Sequence, residues 1–157
     1  MIRLARPADD RVILALNVEC EAQLSPLTLE RLQQMMAIAY RVSVTDDASA
    51  MLVAFDERAP YWSPNFAWFY ERYPRFVYVD RVAVTAAARG RGLARSLYED
   101  LTAAAIADGH SVLCAEFYSD PPNVASEAFH AVMDFESVGD VFVAEYGKRV
   151  RMMVRTL

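Results

Sequence analysis

The sequence has no apolar run that approaches the ~20 residues needed to span a bilayer, and its first residues, 1–7, contain no long apolar stretch. We therefore expect no signal peptide, no membrane partner and a cytoplasmic protein. Lys and Arg form no dense run either, and the formal net charge is −5. Because binding through nucleic-acid phosphates requires a basic face, we expect no nucleic-acid partner.

Cysteine and histidine are also scarce, with two of each, too few for a disulfide framework. Cys20 and Cys114 lie far apart in apolar surroundings, and we interpret both as reduced core residues. A nucleophilic Cys114 is the weaker alternative, because a thiol within an apolar strand is usually inert. The four residues Cys20, His110, Cys114 and His130 lack the paired spacing of a zinc site, so we expect no metal. His110 follows Gly109 and is expected only to complement the charge of a helix C-terminus.

What the sequence does contain is an ordinary globular composition, with 157 residues, of which 55% are hydrophobic and 24% charged. This composition predicts one domain over residues 1–157 that buries a hydrophobic core. Periodicity and turn residues predict strands at residues 2–6, 41–45, 50–55, 76–84, 111–118, 136–144 and 149–155. Helices are predicted at residues 8–22, from Ser25-Pro26, at residues 92–107 and from Pro121-Pro122-Asn123. Hairpins mixed with crossover helices predict an α/β fold with one mixed sheet and helices on both faces.

The most informative segment is Arg89-Gly90-Arg91-Gly92-Leu93-Ala94, between a strong predicted strand and a long predicted helix. Glycines let the backbone turn tightly and approach a ligand closely. Free N–H groups at a helix start, together with the helix dipole, form an anion site. A strand-to-helix turn also uses glycines for purely structural reasons. The dinucleotide fingerprint fails because Arg95 stands at its third glycine position, and no P-loop is present.

This segment resembles the pyrophosphate-binding signature of the GCN5-related N-acetyltransferase superfamily, Arg/Gln-x-x-Gly-x-Gly/Ala, in which Arg89, Gly92 and Ala94 match. The preceding Val82-Ala83-Val84 is similar to the strand whose backbone pairs with the pantetheine arm in that family. A second family block, Asn-x-x-Ala-x-x-Phe-Tyr-x-x-x-Gly-Phe, reads here as Asn123, Ser126, Phe129, His130, Asp134 and Phe135.

The resemblance implies a mixed, mostly antiparallel central sheet of about seven strands flanked by about four helices. It also implies acetyl-CoA as the acyl donor, with no metal. The residues that it implies for coenzyme binding are Val82, Ala83, Val84, Arg89, Gly90, Arg91, Gly92, Leu93, Ala94, Asn123, Ser126 and Phe129. The chain departs from the family pattern at Asp134, which replaces a glycine, and at His130, where many members carry the tyrosine that protonates the departing thiolate.

In the family the amine attacks the thioester directly, so it must first lose a proton, and a carboxylate near the cleft is a natural base. Glu116 lies late on its predicted strand, where some members carry a catalytic glutamate. Strand alternation places Cys114, Glu116 and Tyr118 on one side. The alternative for Glu116 is a solvated charge at the strand end. Asp80, on the preceding strand, is the rival base.

His130 aligns with the family's acid, and an imidazole can donate a proton near neutral pH. The alternative is an ordinary, partly exposed helix histidine; Tyr118 or water would then protonate the thiolate.

Aromatic residues dominate the segment 56–74, which breaks the rhythm of strands and helices and is predicted to be a long loop. They are Tyr61, Trp62, Phe66, Trp68, Phe69, Tyr70 and Tyr73. They form either a satellite core beneath the loop or a lid over the acceptor, with Trp62, Tyr118 and Asp80 as candidate substrate contacts.

The resemblance therefore implies an N-acetyltransferase that uses acetyl-CoA and acts on an amine of a small molecule or a peptide. The negative charge favours cationic acceptors only weakly, and a homodimer is compatible with the sequence. The alternative is a catalytically inactive acyl-CoA-binding sensor or interaction module, which the His130 substitution favours. A purely structural interaction domain would leave both coenzyme motifs unexplained.

Overall fold

Seven strands form one sheet in the order β1-β2-β3-β4-β5-β7-β6 in the computed structural model, which describes residues 1–157. The strands are β1 Ile2–Leu4, β2 Arg41–Thr45, β3 Ala50–Asp56, β4 Val77–Val84, β5 Val112–Asp120, β6 Glu136–Val143 and β7 Lys148–Thr156. The helices are α1 Asp10–Glu19, α2 Leu29–Ile38, α3 Pro64–Tyr70, α4 Leu93–Ala107 and α5 Val124–Val132. Short 3-10 turns occupy Pro7–Asp9 and Ala86–Ala88. The predicted mixed, mostly antiparallel sheet is confirmed.

The one parallel contact, between β4 and β5, is short and determines where the sheet opens. The two strands pair only at Val77 with Leu113 and at Tyr78 with Cys114. A bulge follows at once in β4, because Val79 pairs with Ala54 and Arg81 with Val53, which leaves Asp80 without a partner on β3. Beyond Tyr78 the strands therefore separate, and the edges that face each other are free of sheet hydrogen bonds.

The two faces of the sheet carry separate hydrophobic clusters. Alternate residues of β3 show this division, since Met51 and Val53 belong to the cluster beneath α1, α2 and α3, whereas Leu52 belongs to the cluster beneath α4 and α5. Helix α4 contributes Leu97 and Leu101, both 0% exposed. Burial of each such leucine contributes about 1.5–3 kcal/mol, so the two layers fix the sheet and hence the opening between β4 and β5.

Three sequence predictions were wrong in their details. The second helix begins at Leu29 rather than at Ser25-Pro26, and the side chain of Thr28 caps it by accepting a hydrogen bond from the Arg31 N–H. The first helix ends at Glu19, shorter than predicted. The predicted loop 56–74 contains the helix α3, capped by Ser63, which is one of the five α-helices of the chain.

None of the helices combines the length and apolar character that crossing a membrane would require.

Candidate active site

The separation of β4 from β5 creates a cleft of about 500 Å³. Its walls come from β4 and β5, from the starts of α4 and α5, from the loop between α1 and α2, and from the segment before α3. Most of the predicted site residues meet here, namely Trp62, Asp80, Val82, Ala83, Val84, Arg89, Ala94, Glu116, Tyr118, Asn123, Ser126, Phe129 and His130. Gly90, Arg91 and Gly92 lie in the adjoining turn and Leu93 begins α4; none of the four lines the cleft.

The turn before α4 forms one end of the cleft. Gly90 and Gly92 have φ angles of +77° and +75°, and a Cβ at either position would meet nothing within 4 Å. Glycine is thus favoured there by backbone conformation rather than by crowding. Gly92 is the N-cap of α4 and has no side chain to bond the first-turn N–H groups. Because these donors lack a capping side chain and Arg89 lines the cleft beside them, the turn suits an anion.

The start of α5 closes the same region from the other side. Asn123 caps this helix, accepting a hydrogen bond of 3.1 Å from the Ser126 N–H through its side-chain oxygen. This contact gives Asn123 a structural role in addition to its place in the cleft wall. Ser126 and Phe129 also line the cleft, and Phe129 packs edge-on against Tyr98, with ring centroids 5.2 Å apart.

Glu116 lies in the cleft wall with its carboxyl group turned into the protein. The Tyr78 hydroxyl donates a hydrogen bond of 3.0 Å to Oε1, while Oε2 is buried without a hydrogen-bond partner. Burial, followed by the negative charge of Asp80, raises the pKa of Glu116 to about 8, against the Tyr78 hydrogen bond, which lowers it. The alternative of a freely solvated strand-end charge is therefore wrong. A carboxyl group with such a pKa can take up and release protons near neutral pH.

Asp80 is held more firmly than Glu116. Its Oδ2 forms an ion pair of 2.8 Å with Nε of Arg81, and its Oδ1 accepts a hydrogen bond from the Tyr61 hydroxyl. The side chain is 5% exposed. Since both oxygens already have partners, Asp80 is less free than Glu116 to accept a proton from a substrate.

His130 is buried rather than partly exposed, at 4% exposure. Its Nδ1 lies 2.7 Å from the carbonyl oxygen of Ser126, and its Nε2 lies 3.2 Å from the Tyr98 hydroxyl. Because a carbonyl only accepts, Nδ1 carries the proton of the neutral ring and Nε2 accepts from Tyr98. Burial lowers the pKa of His130, against the Ser126 hydrogen bond. The imidazole is therefore mainly neutral at neutral pH, and it reaches the cleft together with Tyr98.

The aromatic segment divides between the core and the cleft. Phe66 and Phe69 of α3 are 3% and 0% exposed and belong to the core, as in the satellite-core interpretation. Tyr61 and Trp62 line the cleft. Tyr61 stacks on Phe55 with centroids 3.9 Å apart, whereas the Trp62 side chain is 65% exposed. Of the aromatic residues in the segment, only these two line the cleft, where a lid would contact an acceptor.

Cys114 faces the same side of β5 as Glu116, as alternation predicted. Burial and then the Glu116 charge raise the pKa of the Cys114 thiol. Both cysteines are free and buried. These conditions disfavour a thiolate nucleophile.

Several cleft residues were missed from the sequence, among them Tyr78, Arg81, Tyr98 and Tyr146. Tyr98 lies one helical turn after Ala94, a spacing that could have indicated it. Tyr146 was interpreted only as a turn residue, but it lines the cleft, and burial followed by the Glu116 charge raises its pKa to about 12. Arg81 is 7% exposed and gave no sequence signal, because its partners Asn17 and Ser25 are distant along the chain.

Comparisons with known proteins give a consistent picture. A model of the acetyltransferase (GNAT) family matches residues 30–135. The ribosomal-protein-alanine N-acetyltransferase from Brucella melitensis is 24% identical with a TM-score of 0.77, covering 100% of this chain and 99% of that chain. The protein yncA from Salmonella typhimurium, solved with its cofactor acetyl-CoA, is 22% identical with a TM-score of 0.72, covering 100% of this chain and 93% of that chain. A comparison with curated protein sequences finds no match.

Proposed function

This chain belongs to the acetyltransferase (GNAT) family, and from that premise we propose that it transfers the acetyl group of acetyl-CoA to an amine of a small molecule or a peptide. The observation that carries the proposal is the pairing of two features in one cleft. One is the α4 turn without a capping side chain, which suits a pyrophosphate. The other is Glu116, which burial and a neighbouring charge bring to a pKa of about 8.

The coenzyme would be held along one side of the cleft. The N–H groups at the start of α4 and the Arg89 side chain would bind its pyrophosphate. The free edge of β4 at Val82, Ala83 and Val84 offers backbone donors and acceptors to the amides of the pantetheine arm. Since β4 and β5 are not paired there, no sheet hydrogen bond has to break for the arm to enter.

The acceptor would lie at the other side, between Glu116 and the α1–α2 loop. Arg81 fixes this loop, donating a hydrogen bond of 2.7 Å to the Asn17 side chain and one of 3.3 Å to the Ser25 hydroxyl. Trp62, which is 65% exposed, offers aromatic surface to the acceptor, whereas the Tyr61 ring is covered by Phe55 and by the Arg31 guanidinium. The face of Trp62 attracts a cationic amine, while the negative charge of Asp80 is already paired with Arg81.

The acceptor nitrogen loses two protons between its ammonium form and the amide, and the departing sulfur takes up one. The ionised Glu116 accepts the first proton, and the free amine attacks the thioester carbonyl. The new C–N bond forms as the C–S bond breaks, the attacking nitrogen releases its second proton to water, and the coenzyme leaves as a thiolate that takes up a proton. A base with a pKa near 8 matches an alkyl ammonium better than an ordinary carboxylate does, since Brønsted behaviour favours closer pKa values.

His130 is the candidate donor of the proton that the departing thiolate takes up, and it would act through Tyr98. A protonated His130 would donate from Nε2 to the Tyr98 oxygen, which frees the Tyr98 hydroxyl to donate into the cleft. Because burial lowers the pKa of His130, this charged form is a minority at neutral pH. Tyr118, which also lines the cleft, or water is the alternative donor.

The second candidate function is an acyl-CoA-binding module without catalysis. The observation that favours it is the engagement of both nitrogens of His130 within the protein, at the position where the family tyrosine would serve as acid. Such a module would bind acetyl-CoA but release no thiol with any acceptor.

Two experiments distinguish these functions. One is a thiol-release assay with acetyl-CoA over a panel of amines and N-terminal peptides, and the other is calorimetry of coenzyme binding. Acceptor-dependent thiol release supports the transferase. Coenzyme binding without release across the panel supports the module. No coenzyme binding would overturn both.

A further inference from the structure

A second cluster of ionisable side chains lies outside the cleft. It contains Asp56, the last residue of β3, Glu57 directly after it, and His110, between α4 and β5. The α4 turn and this cluster lie at opposite ends of the helix Leu93–Ala107, so they are separated by about 20 Å at 1.5 Å per residue. None of its three residues lines the cleft, so the cluster takes no part in the proposed acetyl transfer.

The imidazole of His110 is oriented toward the two carboxylates without bonding to them. Its Nε2 lies 3.3 Å from Oε2 of Glu57 and 3.9 Å from Oδ2 of Asp56. The His110 side chain is 0% exposed, and neither ring nitrogen has a hydrogen-bond partner. A buried, unsatisfied polar group costs roughly 1–3 kcal/mol, so this arrangement calls for a ligand between the three side chains.

We propose that Asp56, Glu57 and His110 bind a divalent transition-metal ion, with Zn²⁺ as the best match. One imidazole nitrogen with two carboxylate oxygens is a donor set that suits Zn²⁺ better than Mg²⁺ or Ca²⁺, which prefer oxygen alone. Ligand atoms that surround a tetrahedral ion at about 2.0–2.1 Å lie about 3.3 Å apart. The separation between His110 and Glu57 already has this value, at 3.3 Å.

Asp56 must change partners to complete the site. Its Oδ2 now accepts hydrogen bonds from the Arg58 guanidinium, the shorter of them 2.6 Å. The Arg58 side chain is 69% exposed, so it can turn into solvent, while Oδ1 keeps the 3.1 Å hydrogen bond from the Arg58 backbone N–H. Water would supply the fourth ligand.

The ion would join two segments that are distant in sequence. Asp56 and Glu57 end β3, and His110 connects α4 to β5, so a shared ion would hold the C-terminal end of α4 against the sheet. Ligand binding to the folded state alone raises stability by mass action. We therefore expect the ion to be structural and to leave the chemistry of the cleft unchanged.

From the sequence we expected no metal, and His110 was interpreted only as a complement to the charge of a helix C-terminus. The carboxylates lie more than fifty positions away, at residues 56 and 57, and only the sheet brings them to His110.

Titration of the metal-free full-length protein with Co²⁺, a spectroscopic substitute for Zn²⁺, tests the site. We expect about one equivalent to bind with the visible absorption of a tetrahedral site, to be displaced by Zn²⁺, and to raise the melting temperature. His110→Gln and Glu57→Gln should each weaken binding by more than about tenfold. Circular dichroism establishes whether each variant is folded, and one folded variant of the two is enough to test the site.

Two matched variants serve as controls. His130→Gln removes the other histidine of the chain, and Glu71→Gln removes a carboxylate whose side chain is 71% exposed; both should bind Co²⁺ like the wild type. Failure of the wild type to bind saturably would overturn the site in favour of a metal-free cluster. Unchanged binding in folded His110→Gln or Glu57→Gln, or a sulfur-to-cobalt charge-transfer band that indicates Cys20 or Cys114, would overturn it as well.

Discussion

The Tyr78 hydroxyl donates a 3.0 Å hydrogen bond to Oε1 of Glu116, yet the pKa of that carboxyl group is raised to about 8. A hydrogen bond from Tyr78 to the ionised form opposes this shift. Burial and the charge of Asp80 outweigh it. The pair therefore holds a carboxyl group in a fixed position without making it strongly acidic, which is the condition for a base that works near neutral pH.

The first prediction concerns this base. Glu116→Gln keeps the shape of the side chain and removes its basicity, so the rate of acetyl transfer at neutral pH should fall by roughly 10²-fold or more. The wild-type rate should rise with pH through about 8 as Glu116 ionises. The difference in rate between the wild type and the variant should shrink as pH approaches the pKa of the amine, because free amine then forms without a base from the protein. A pH–rate profile of kcat/KM measures both effects.

Asp80→Asn provides the contrast in the same assay. Removing the Asp80 charge removes one cause that raises the Glu116 pKa, so the midpoint of the profile should move to lower pH while the profile keeps its shape. If Asp80 were the base, Asp80→Asn would instead show the large loss with rescue at high pH, and Glu116→Gln would keep the wild-type profile. That outcome would remove Glu116 from the mechanism.

The second prediction concerns stability. The pKa of Glu116 is raised in the folded state from the ordinary value of 4.5 to about 8, so the folded protein binds the proton more tightly than the unfolded chain. The contribution of this tighter proton binding to the free energy of unfolding is fully present below pH 4.5 and is lost as pH rises through about 8. Since one pKa unit corresponds to about 1.4 kcal/mol, the total change is on the order of a few kcal/mol.

Urea denaturation between pH 5 and 9 measures this effect. Glu116→Gln does not titrate there, so its free energy of unfolding should increase relative to that of the wild type as pH rises. Glu71→Gln, which removes an exposed carboxylate, should instead follow the wild type. If the free energies of unfolding of Glu116→Gln and of the wild type instead changed in parallel with pH, the carboxyl group of Glu116 would have an ordinary pKa.

Two Ser-Pro pairs explain why the fold was predictable only in part. Both Ser25-Pro26 and Ser63-Pro64 carry a local helix-start signal. Only the second begins a helix, since Ser63 accepts a hydrogen bond of 3.1 Å from the Phe66 N–H. Ser25 is instead held by Asn17, whose side-chain amide donates to the Ser25 carbonyl at 3.1 Å, and by Arg81. Long-range contacts decided between two equal local signals.

The strands and the two motif helices were predicted well because their signals are local. A continuous apolar run marks β3, a run of β-branched and aromatic residues marks β4, and Gly92 and Asn123 mark the starts of α4 and α5. The cleft residues that belong to these motifs were implied by the family resemblance. Tyr146 was missed because its closeness to Glu116 depends on how the elements pack, which no short pattern records, whereas Tyr98 follows Ala94 by one helical turn and so has a local signal.

The third prediction concerns His130 and Tyr98. His130→Ala removes the acceptor of the buried Tyr98 hydroxyl, so turnover should fall while the affinity for acetyl-CoA changes little. The free energy of unfolding should also fall, by about 1–3 kcal/mol, because the hydroxyl is left unsatisfied. Steady-state kinetics, calorimetry and denaturation separate the three quantities.

Two further variants distinguish catalysis from packing at this position. Tyr98→Phe should lower turnover to a similar degree if the proton passes through Tyr98. His130→Tyr, which restores the residue that many family members carry, should recover part of the turnover. Full turnover in His130→Ala would return the donor role to Tyr118 or to water.

The last prediction concerns the turn that would bind the pyrophosphate. Gly92 has a φ angle of +75° and caps α4, so Gly92→Val must either strain this conformation or move the first N–H groups of the helix. Coenzyme binding should then fall below detection in calorimetry while circular dichroism shows a folded protein. Gly147→Val is the matched control, because Gly147 also has a positive φ angle, +61°, and open space around its Cβ position, but lies in the β6–β7 turn. Both variants bear a similar strain of about 1–3 kcal/mol. Only Gly92→Val should lose the coenzyme, and unchanged affinity in that variant would show that the α4 turn does not bind it.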